Sequence, residues 1–168
     1  FAQVVAHDLP PGYLSTQHAE SLDGVTLVGV QHHHAHVAAC LADNEVPGPV
    51  IGLACDGLGY GSDGTLWGGE VLVAGLAEFV RAGHVRTIAM PGGAAAIREP
   101  WRMAAVYAQR VLGEHPHQLA VHQRTGARWD AVLTAAAGGV NAPVTSSVGR
   151  LLDACAALLG VRDTVTYE

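Results

Sequence analysis

The sequence predicts an α/β fold, with a mixed sheet in the first half of the chain and helices in the second half. Short β-branched and apolar runs bounded by glycine and proline cluster early in the chain, a pattern typical of strands. Alanine-rich segments with apolar residues three and four positions apart follow, a pattern typical of amphipathic helices. The 168 residues, of which 49% are hydrophobic and 14% charged, suffice for one domain with its own core.

The first half is predicted to contain five strands and one helix. Residues 1–24 are otherwise expected to be irregular, with a turn forced by Pro10, Pro11 and Gly12. A glycine-dense loop, Gly57–Gly64, joins two of the strands in what is most simply a β-hairpin. The predicted strands are Ala2–Ala6, Thr26–Val30, Val50–Cys55, Leu66–Ala74 and Phe79–Thr87, and the predicted helix is His33–Ala42.

The second half is predicted to contain three helices. These are Arg98–Leu112, Trp129–Ala137, and a last helix that is capped by Ser146 or Ser147 and extends through Leu159. A loop, Asn141–Thr145, precedes the last helix, and Gly160 ends it. The predicted apolar face of this helix consists of Leu151, Cys155, Leu158 and Leu159. The chain begins without methionine and stops after a strand-like run, Thr164–Tyr167, which suggests a fragment of a larger protein.

Composition excludes several classes of chemistry. All nine basic residues are arginine, so a P-loop lysine, a Schiff-base lysine and a lysine general base are excluded. The net charge of −6, without an arginine stripe, argues against nucleic-acid binding. Three scattered cysteines in apolar surroundings are expected to be buried thiols in a reducing compartment. No apolar run is long enough to span a membrane, so a cytoplasmic protein is expected.

Four of the ten histidines lie within the five residues that follow Gln31. On a helix, His32 and His36 are four residues apart and share a face, where two imidazoles can bind one divalent metal ion. Position 33 is histidine rather than glutamate, which argues against an HExxH zinc protease. The alternative is a solvated polar turn in which the histidines only form caps and hydrogen bonds.

A second candidate site begins at Asp56, directly after a predicted buried strand. This carboxylate can bind a metal ion or orient a metal ligand, and the glycines of Gly57–Gly64 can form a backbone nest for an anion. The alternative is a glycine-rich hairpin turn with solvated aspartates. A Rossmann turn is excluded because the loop leads into a strand rather than a helix.

Two further stretches leave their roles open. Arg98 or Arg102 can hold a phosphate or carboxylate, or can form a structural pair with Glu99. Asp153 lies beside the apolar face of the last helix, so it is either half-exposed or directed at a ligand.

Four stretches in this order resemble the carbamoyltransferase domain of the HypF family of hydrogenase maturation proteins, over about Val5 to Gly160. They are VQHHHAHVAACLA, DGLGYGSDGTLWGGE, PGGAAAIREPWRM and TSSVGRLLDA. That family is similar to the tRNA threonylcarbamoyladenosine transferases, and both belong to the actin/Hsp70/sugar-kinase (ASKHA) superfamily. The resemblance implies a two-lobed α/β architecture, with nucleotide between the lobes and a metal ion beside it.

The resemblance also implies site residues. His32 and His36 match the family's HxxxH metal ligands, and Asp56 matches a further carboxylate ligand, with iron or zinc as the metal. The resemblance assigns no catalytic side chain. Positions that match nucleotide-binding or phosphate-side residues are Asp56, Gly57, Gly59, Gly61, Gly149 and Asp153. The family's later SGG-type loop and final aspartate ligand have no counterpart here, so residues 1–168 are expected to be a carbamoyltransferase domain truncated on its C-terminal side.

The implied reaction transfers a carbamoyl group from carbamoyladenylate, made from carbamoyl phosphate and ATP. The acceptor is the C-terminal cysteine of the partner maturation protein HypE, on the way to the cyanide ligands of nickel–iron hydrogenase, and the fragment alone is expected to be inactive. Alternatives are a small-molecule O-carbamoyltransferase of natural-product synthesis and a docking fragment without turnover. The tRNA-modifying and metal-storage alternatives are less favoured.

Overall fold

The structure is a computed structural model that describes residues 3–10, 12–113 and 118–166. Within these ranges the chain forms seven strands and seven helices. The strands are β1 (Val4–Asp8), β2 (Thr26–Val30), β3 (Val50–Tyr60), β4 (Leu66–Ala74), β5 (Phe79–His84), β6 (Ile88–Ala89) and β7 (Val144–Thr145). The helices are α1 (Leu14–Glu20), α2 (His32–Asp43), α3 (Ala94–Arg98), α4 (Trp101–Leu112), α5 (Ala120–Thr125), α6 (Arg128–Ala137) and α7 (Val148–Leu158).

The strands form two sheets. β1 and β2 pair in parallel, in a register that places Asp8 opposite Val30 at the carboxyl ends of the two strands. The second sheet has the order β3-β4-β7-β6, and β5 pairs with β4. β4 pairs antiparallel with both β3 and β5, as expected for strands joined by short connections. Helix α2 connects the sheets, so its first turn lies where β2 ends.

Two apolar clusters stabilise the fold. The larger one lies among the helices of the second half, where the indoles of Trp101 and Trp129 are fully buried. The smaller one packs α2 onto the second sheet through Val37 and Leu41, against Trp67 and Leu72. Burial of such large side chains contributes about 1.5–3 kcal/mol each. The smaller cluster therefore fixes the helix that carries the histidines against the sheet.

A buried carboxylate joins the second sheet to the segment that precedes α7. Glu70 on β4 accepts hydrogen bonds from the Arg81 Nε (2.7 Å), from the backbone N–H groups of Gly68 and Gly69 (both 3.2 Å) and from the Ser146 hydroxyl. Burial acts to raise the pKa of Glu70, but these donors outweigh it and the pKa lies below its ordinary value. In the WGGE stretch, residues 67–70, the two glycines thus supply backbone N–H donors to the buried glutamate.

The same arginine links the hairpin turn to the sheet. Its guanidinium lies 4.0 Å from the centroid of the Trp67 ring and donates to Asp63 at 2.9 Å. Asp63 also accepts from the Trp67 indole N–H (2.9 Å) and from Thr65. Burial is the largest single influence on Asp63 and opposes its charge, but the hydrogen bonds and the nearby guanidinium lower its pKa to about 2. The turn after β3 is therefore held by charged hydrogen bonds.

The predictions for the first half are confirmed in part. Thr26–Val30 and Leu66–Ala74 have the predicted bounds, and the predicted helix is α2. The loop prediction for Gly57–Gly64 is wrong over its first four residues, because β3 continues to Tyr60 with a bulge after Cys55. The irregular segment contains α1, which the sequence analysis missed. Ala2 and Pro11, which belonged to the predicted strand and turn, lie outside the described residues.

In the second half, the predicted helices correspond to α4, α6 and α7, and the Ser147 cap is confirmed by its hydrogen bond from the Arg150 N–H. The prediction missed two short helices, α3 and α5. The predicted loop Asn141–Thr145 contains strand β7. Of the strand-like run Thr164–Tyr167, residues 164–166 have no regular structure, and Tyr167 lies outside the described residues.

The predicted apolar face of α7 is wrong. The buried positions are Arg150, Ala154 and Ala157, while Leu159 is 80% exposed. Helix α7 packs closely against α4, which itself presents alanines, and small side chains allow that approach where leucines do not. The remaining predicted face residues are Leu151, half-buried, and Cys155 and Leu158, both exposed.

The prediction of buried thiols is also wrong, because Cys40, Cys55 and Cys155 are all exposed. Two large side chains on β3, Ile51 and Leu53, are 74% and 73% exposed. Exposed apolar side chains grouped on one sheet face are typical of an interaction surface. None of the helices in the described part of the chain is long and apolar enough to cross a membrane.

We predict that Ser147→Ala destabilises the fold by about 1–2 kcal/mol. The Ser147 hydroxyl caps α7 and also donates to the Gly57 carbonyl at 2.6 Å, so its removal loses both the cap and the contact with β3. Chemical denaturation measures the change. Ser62→Ala, in the exposed hairpin turn, is the matched control and is expected to change stability little. Equal stability of the two variants would contradict the prediction.

Candidate metal centre

The candidate site lies where β2 passes into α2. Gln31 caps the helix, because its side-chain oxygen accepts from the His34 backbone N–H at 2.9 Å. The helix therefore begins at His32, two residues after the last residue of β2 and beside the end of β1. The parallel register of β1 and β2 places Asp8 at the same sheet edge.

Three side chains predicted to bind a metal ion converge at this point. The Nε2 of His32 lies 2.8 Å from the Oδ2 of Asp56 and 3.1 Å from the Nε2 of His36. The third side of the triangle, from the Nε2 of His36 to the Oδ2 of Asp56, is 3.8 Å. The i, i+4 helical spacing brings the histidines together, and β3 supplies the carboxylate.

The geometry fits a divalent metal ion. A triangle with these sides has a circumradius of about 1.9 Å, so a point about 2 Å from all three donor atoms exists, as Zn–N and Zn–O bonds require. Two imidazoles and one carboxylate are a donor set that suits iron as well as zinc. Among the described residues, His32, His36 and Asp56 are the one histidine, cysteine or carboxylate group with this geometry.

The sequence analysis missed Asp8. Its Oδ2 lies 2.8 Å from the Nδ1 of His32, on the opposite side of the ring from Asp56. A carboxylate on the second nitrogen of a metal-binding histidine fixes the orientation and tautomer of the ring. Asp8 could have been predicted from the pairing of two parallel strands, whose carboxyl ends meet at one sheet edge. The predicted strand Ala2–Ala6 ended before Asp8, so this inference was not made.

Two carboxylates therefore flank one imidazole. Burial is the largest influence on His32 and opposes its charge, but the hydrogen bonds and charges of Asp8 and Asp56 outweigh it, so the pKa of His32 is raised. Burial also acts to raise the pKa of Asp56, yet the Gly57 N–H and His32 lower it below its usual range. Asp56 is thus an anion, as a metal ligand must be.

Gly59 and Gly61, which follow Asp56, allow close packing of side chains rather than form a backbone nest for an anion. A Cβ on Gly59 would lie 2.5 Å from His33 Cε1 and 2.8 Å from His32 Cδ2, and one on Gly61 would lie 2.1 Å from the Trp67 indole nitrogen. Neither these glycines nor Gly57 has a positive φ. Of these three glycines, only Gly57 leaves open the space that a Cβ would occupy, with nothing within 4 Å. Gly64, in the turn that follows β3, is also open and has a φ of 77°. Close backbone approach by a ligand is therefore best supported at Gly57.

The predicted nucleoside-side residues lie on α7. A Cβ on Gly149 would be 2.7 Å from the Gly57 Cα, so this glycine lets the helix contact β3. Asp153 forms an ion pair with Arg150, whose Nε lies 2.7 Å from the Asp153 Oδ2. Burial, the largest influence, raises the pKa of Asp153 despite that partner. The structure brings Gly149 to the Asp56–Gly57 corner, while a nucleoside contact by either residue stays a prediction.

The arginine stretch forms a structural cluster. Glu99 receives hydrogen bonds from Arg102 and Arg128, whose guanidinium carbons lie 5.2 and 4.8 Å from the centroid of the Trp101 ring. Of the two alternatives for Arg102, the pair with Glu99 is therefore observed. Arg98 is exposed.

Comparison with known proteins gives matches over nearly the whole chain. The family model "Carbamoyltransferase, Kae1-like Domain, second subdomain" matches residues 52–168, and "HypF Kae1-like domain" matches residues 2–43. Carbamoyltransferase HypF2 of Cupriavidus necator is 47% identical over 99% of this chain and 21% of its own length. Carbamoyltransferase HypF of Rhizobium leguminosarum bv. viciae is 46% identical over 99% of this chain and 22% of its own length.

Solved structures of HypF proteins also match this chain. A crystal structure of full-length HypF in the phosphate- and nucleotide-bound form superposes with a TM-score of 0.91 at 41% identity, over 99% of this chain and 22% of that one. The crystal structure of HypF from T. kodakarensis superposes with a TM-score of 0.81 at 37% identity, over 99% of this chain and 23% of that one. The chain spans about a fifth of the length of these relatives.

We predict that Gly59→Ala lowers the affinity of the chain for Co²⁺ by at least about tenfold. The new methyl group would overlap the rings of His32 and His33 and displace the first turn of α2 from Asp56. Gly83→Ala is the matched control, since its Cβ would meet only Val71 at ordinary contact distance. The d–d absorption of bound Co²⁺ gives the affinities. The prediction fails if both variants bind Co²⁺ as the unchanged chain does.

Proposed function

The chain belongs to the HypF carbamoyltransferase family, and from that premise we propose that it supplies the metal-binding side of a carbamoyl-transfer site. The convergence of His32, His36 and Asp56 carries the proposal, because it places two imidazoles and an ionised carboxylate around one point. The finer assignment of the fold to the ASKHA superfamily belongs to the same proposal, with residues 1–168 forming part of the carbamoyltransferase domain.

His32, His36 and Asp56 would hold the metal ion, and Asp8 would orient the imidazole of His32. When bound, a divalent ion supplies Lewis acidity and a template for oxygen ligands. Iron and zinc both suit the donor set. Asp8 and Asp56 also hold the ring from both sides, so the ligand geometry is organised before a metal ion binds.

The nucleotide side of the site is proposed to lie at the corner formed by Asp56, Gly57 and the start of α7. The chain superposes closely on a HypF solved in a phosphate- and nucleotide-bound form, which supports nucleotide binding in this family, while the place of the site rests on the geometry at Gly57. At Gly57 the absent side chain allows a phosphate to approach the backbone. Gly149 and Asp153 remain the proposed nucleoside contacts, with ATP and carbamoyladenylate as the ligands.

The proposed reaction transfers a carbamoyl group to a thiolate, the C-terminal cysteine of HypE. The sulfur attacks the carbamoyl carbon of carbamoyladenylate, a C–S bond forms, and the C–O bond to the phosphate breaks to release AMP. The product would lead to the cyanide ligands of nickel–iron hydrogenase. Residues of this chain would position the adenylate at Gly57 and keep the reacting group beside His32 and His36. Conversion of carbamoyl phosphate and ATP into carbamoyladenylate would require the longer protein, to which this chain would contribute part of the nucleotide site.

We predict that His36→Ala reduces the affinity for Zn²⁺ by more than about 100-fold, the upper range for loss of an outer-shell partner. His36 is well exposed, so its removal deletes a ligand without leaving a cavity. Calorimetric titration of the chain with Zn²⁺ measures the change. His18→Ala, on the exposed surface of α1, is the control and should bind like the unchanged chain. Zn²⁺ binding by His36→Ala at unchanged affinity would refute the ligand assignment.

Carbamoyl transfer can be tested in a chimera. We predict that C. necator HypF2 with its matched segment replaced by this chain carbamoylates the cysteine of HypE, detected as a mass increase of the intact acceptor. The chimera with His36→Ala should lose transfer, and the chimera with His18→Ala should keep it. A chimera that binds metal yet transfers nothing to a thiol, or that prefers a small hydroxyl acceptor, would overturn the proposed reaction.

A further inference from the structure

His33, between the two proposed ligand histidines, has no role in the metal centre described above. Its side chain is fully buried, at 0% exposure, although histidine is a polar residue. It packs against Gly59 and lies with its ring centroid 6.0 Å from that of Trp67. A buried imidazole needs partners for its two nitrogens, because an unpaired buried polar group costs about 1–3 kcal/mol.

The partner of the first nitrogen determines where the proton of His33 lies. The Gln31 side-chain oxygen accepts from the His34 N–H, which only an oxygen can do, so the amide nitrogen occupies the other position. That nitrogen donates to the Tyr60 carbonyl and faces the Nδ1 of His33, both at 3.1 Å. An NH₂ group only donates, so Nδ1 must present its lone pair.

The proton of the neutral ring is therefore on Nε2. This Nε2 is buried and has no hydrogen-bond partner within the described part of the chain. The Oδ2 of Asp56 lies 4.0 Å from it, and the other oxygen of that carboxylate already accepts from the Gly57 N–H at 2.6 Å. Oδ2 also contacts the Nε2 of His32 at 2.8 Å, and it has a second lone pair. A shift of about 1 Å would bring the N–H of His33 into hydrogen-bonding range of this oxygen.

We propose that His33 is a positioning residue that, as the Nε2–H tautomer, donates to Asp56 and orients this carboxylate towards the metal ion. The inference rests on the metal centre proposed above and adds an outer-shell donor to its carboxylate ligand. Carboxylates that bind metals are themselves hydrogen-bonded, and loss of such a partner costs about 10- to 100-fold in metal affinity. A row of side-chain contacts, from Gln31 through His33 to Asp56, thus connects the cap of α2 to the proposed carboxylate ligand.

A matched pair of amide variants separates the two nitrogens. His33→Gln places an NH₂ group near the position of Nε2, whereas His33→Asn reaches only the position of Nδ1. We expect His33→Asn to bind Co²⁺ about 10- to 100-fold more weakly than the unchanged chain, and His33→Gln to bind within about threefold of it. His34→Gln is the control for burial, because His34 is a buried histidine of the same helix that contacts the Gly75 carbonyl (2.9 Å) and Phe79.

Co²⁺ titration, followed by the d–d absorption band, measures the affinities, and thermal unfolding of the metal-free variants measures their stability. Weak binding by His33→Asn with rescue by His33→Gln supports the inference. Equal affinities for these two variants overturn it, as does a loss in His34→Gln as large as that in His33→Asn. If His36→Ala binds as tightly as the unchanged chain, the metal centre itself fails, and this inference fails with it.

The tautomer is tested without metal or activity. ¹⁵N chemical shifts of the His33 ring in the metal-free chain should show an unprotonated Nδ1 and a protonated Nε2. A proton on Nδ1 overturns the inference even if the metal centre is correct. His33 variants that unfold leave this measurement in force, since it uses the unchanged chain.

Discussion

The close approach of two helices to one strand governs this structure. On one side, the first turn of α2 lies against β3 at Gly59, and further along that helix Val37 occupies the space that a side chain at Gly52 would fill. At the Asp56–Gly57 corner, α7 meets the same strand through Gly149. Each contact exists only because a glycine presents no side chain. Asp56 therefore lies where both helices converge, and its carboxylate can meet side chains from α2.

The electrostatics follow from that placement. His32 lies between two carboxylates, each with an oxygen 2.8 Å from one of its ring nitrogens, so the ring cannot rotate without losing a charged hydrogen bond. The next residue, His33, points inward to a dry environment, and burial, its largest influence, lowers its pKa. Adjacent histidines on the first turn thus have opposite tendencies, one stabilised as a cation and one kept neutral. A metal ion that binds the Nε2 of His32 would therefore displace a proton from it, while the Asp8 carboxylate keeps the proton on Nδ1.

Sequence reasoning found what depends on local pattern. The i, i+4 histidines and the Ser147 cap follow from spacing along one element, and the structure confirms both. Asp56 was identified because it follows an apolar run, but it lies within β3, which continues to Tyr60, and not after a buried strand. Sequence reasoning missed Asp8, because its proximity to His32 depends on the register between two strands that are far apart in sequence. It misassigned the face of α7 for a similar reason: alanines are buried there because α4 comes close, and no periodicity in α7 itself reveals how near its neighbour lies.

The glycines after Asp56 match the family's phosphate-side loop, but the anion nest predicted for them is not what the backbone forms through Tyr60. An anion nest requires alternating backbone conformations, yet β3 stays extended through Tyr60, and two of these glycines are there to admit His33 and Trp67. What remains for a phosphate is the open position at Gly57, beside the metal ligands. The two halves of the proposed site therefore differ: the metal side has three converging side chains, whereas the phosphate side rests on the open backbone at Gly57. This asymmetry explains why a metal titration tests the chain itself, while carbamoyl transfer has to be tested within a longer relative.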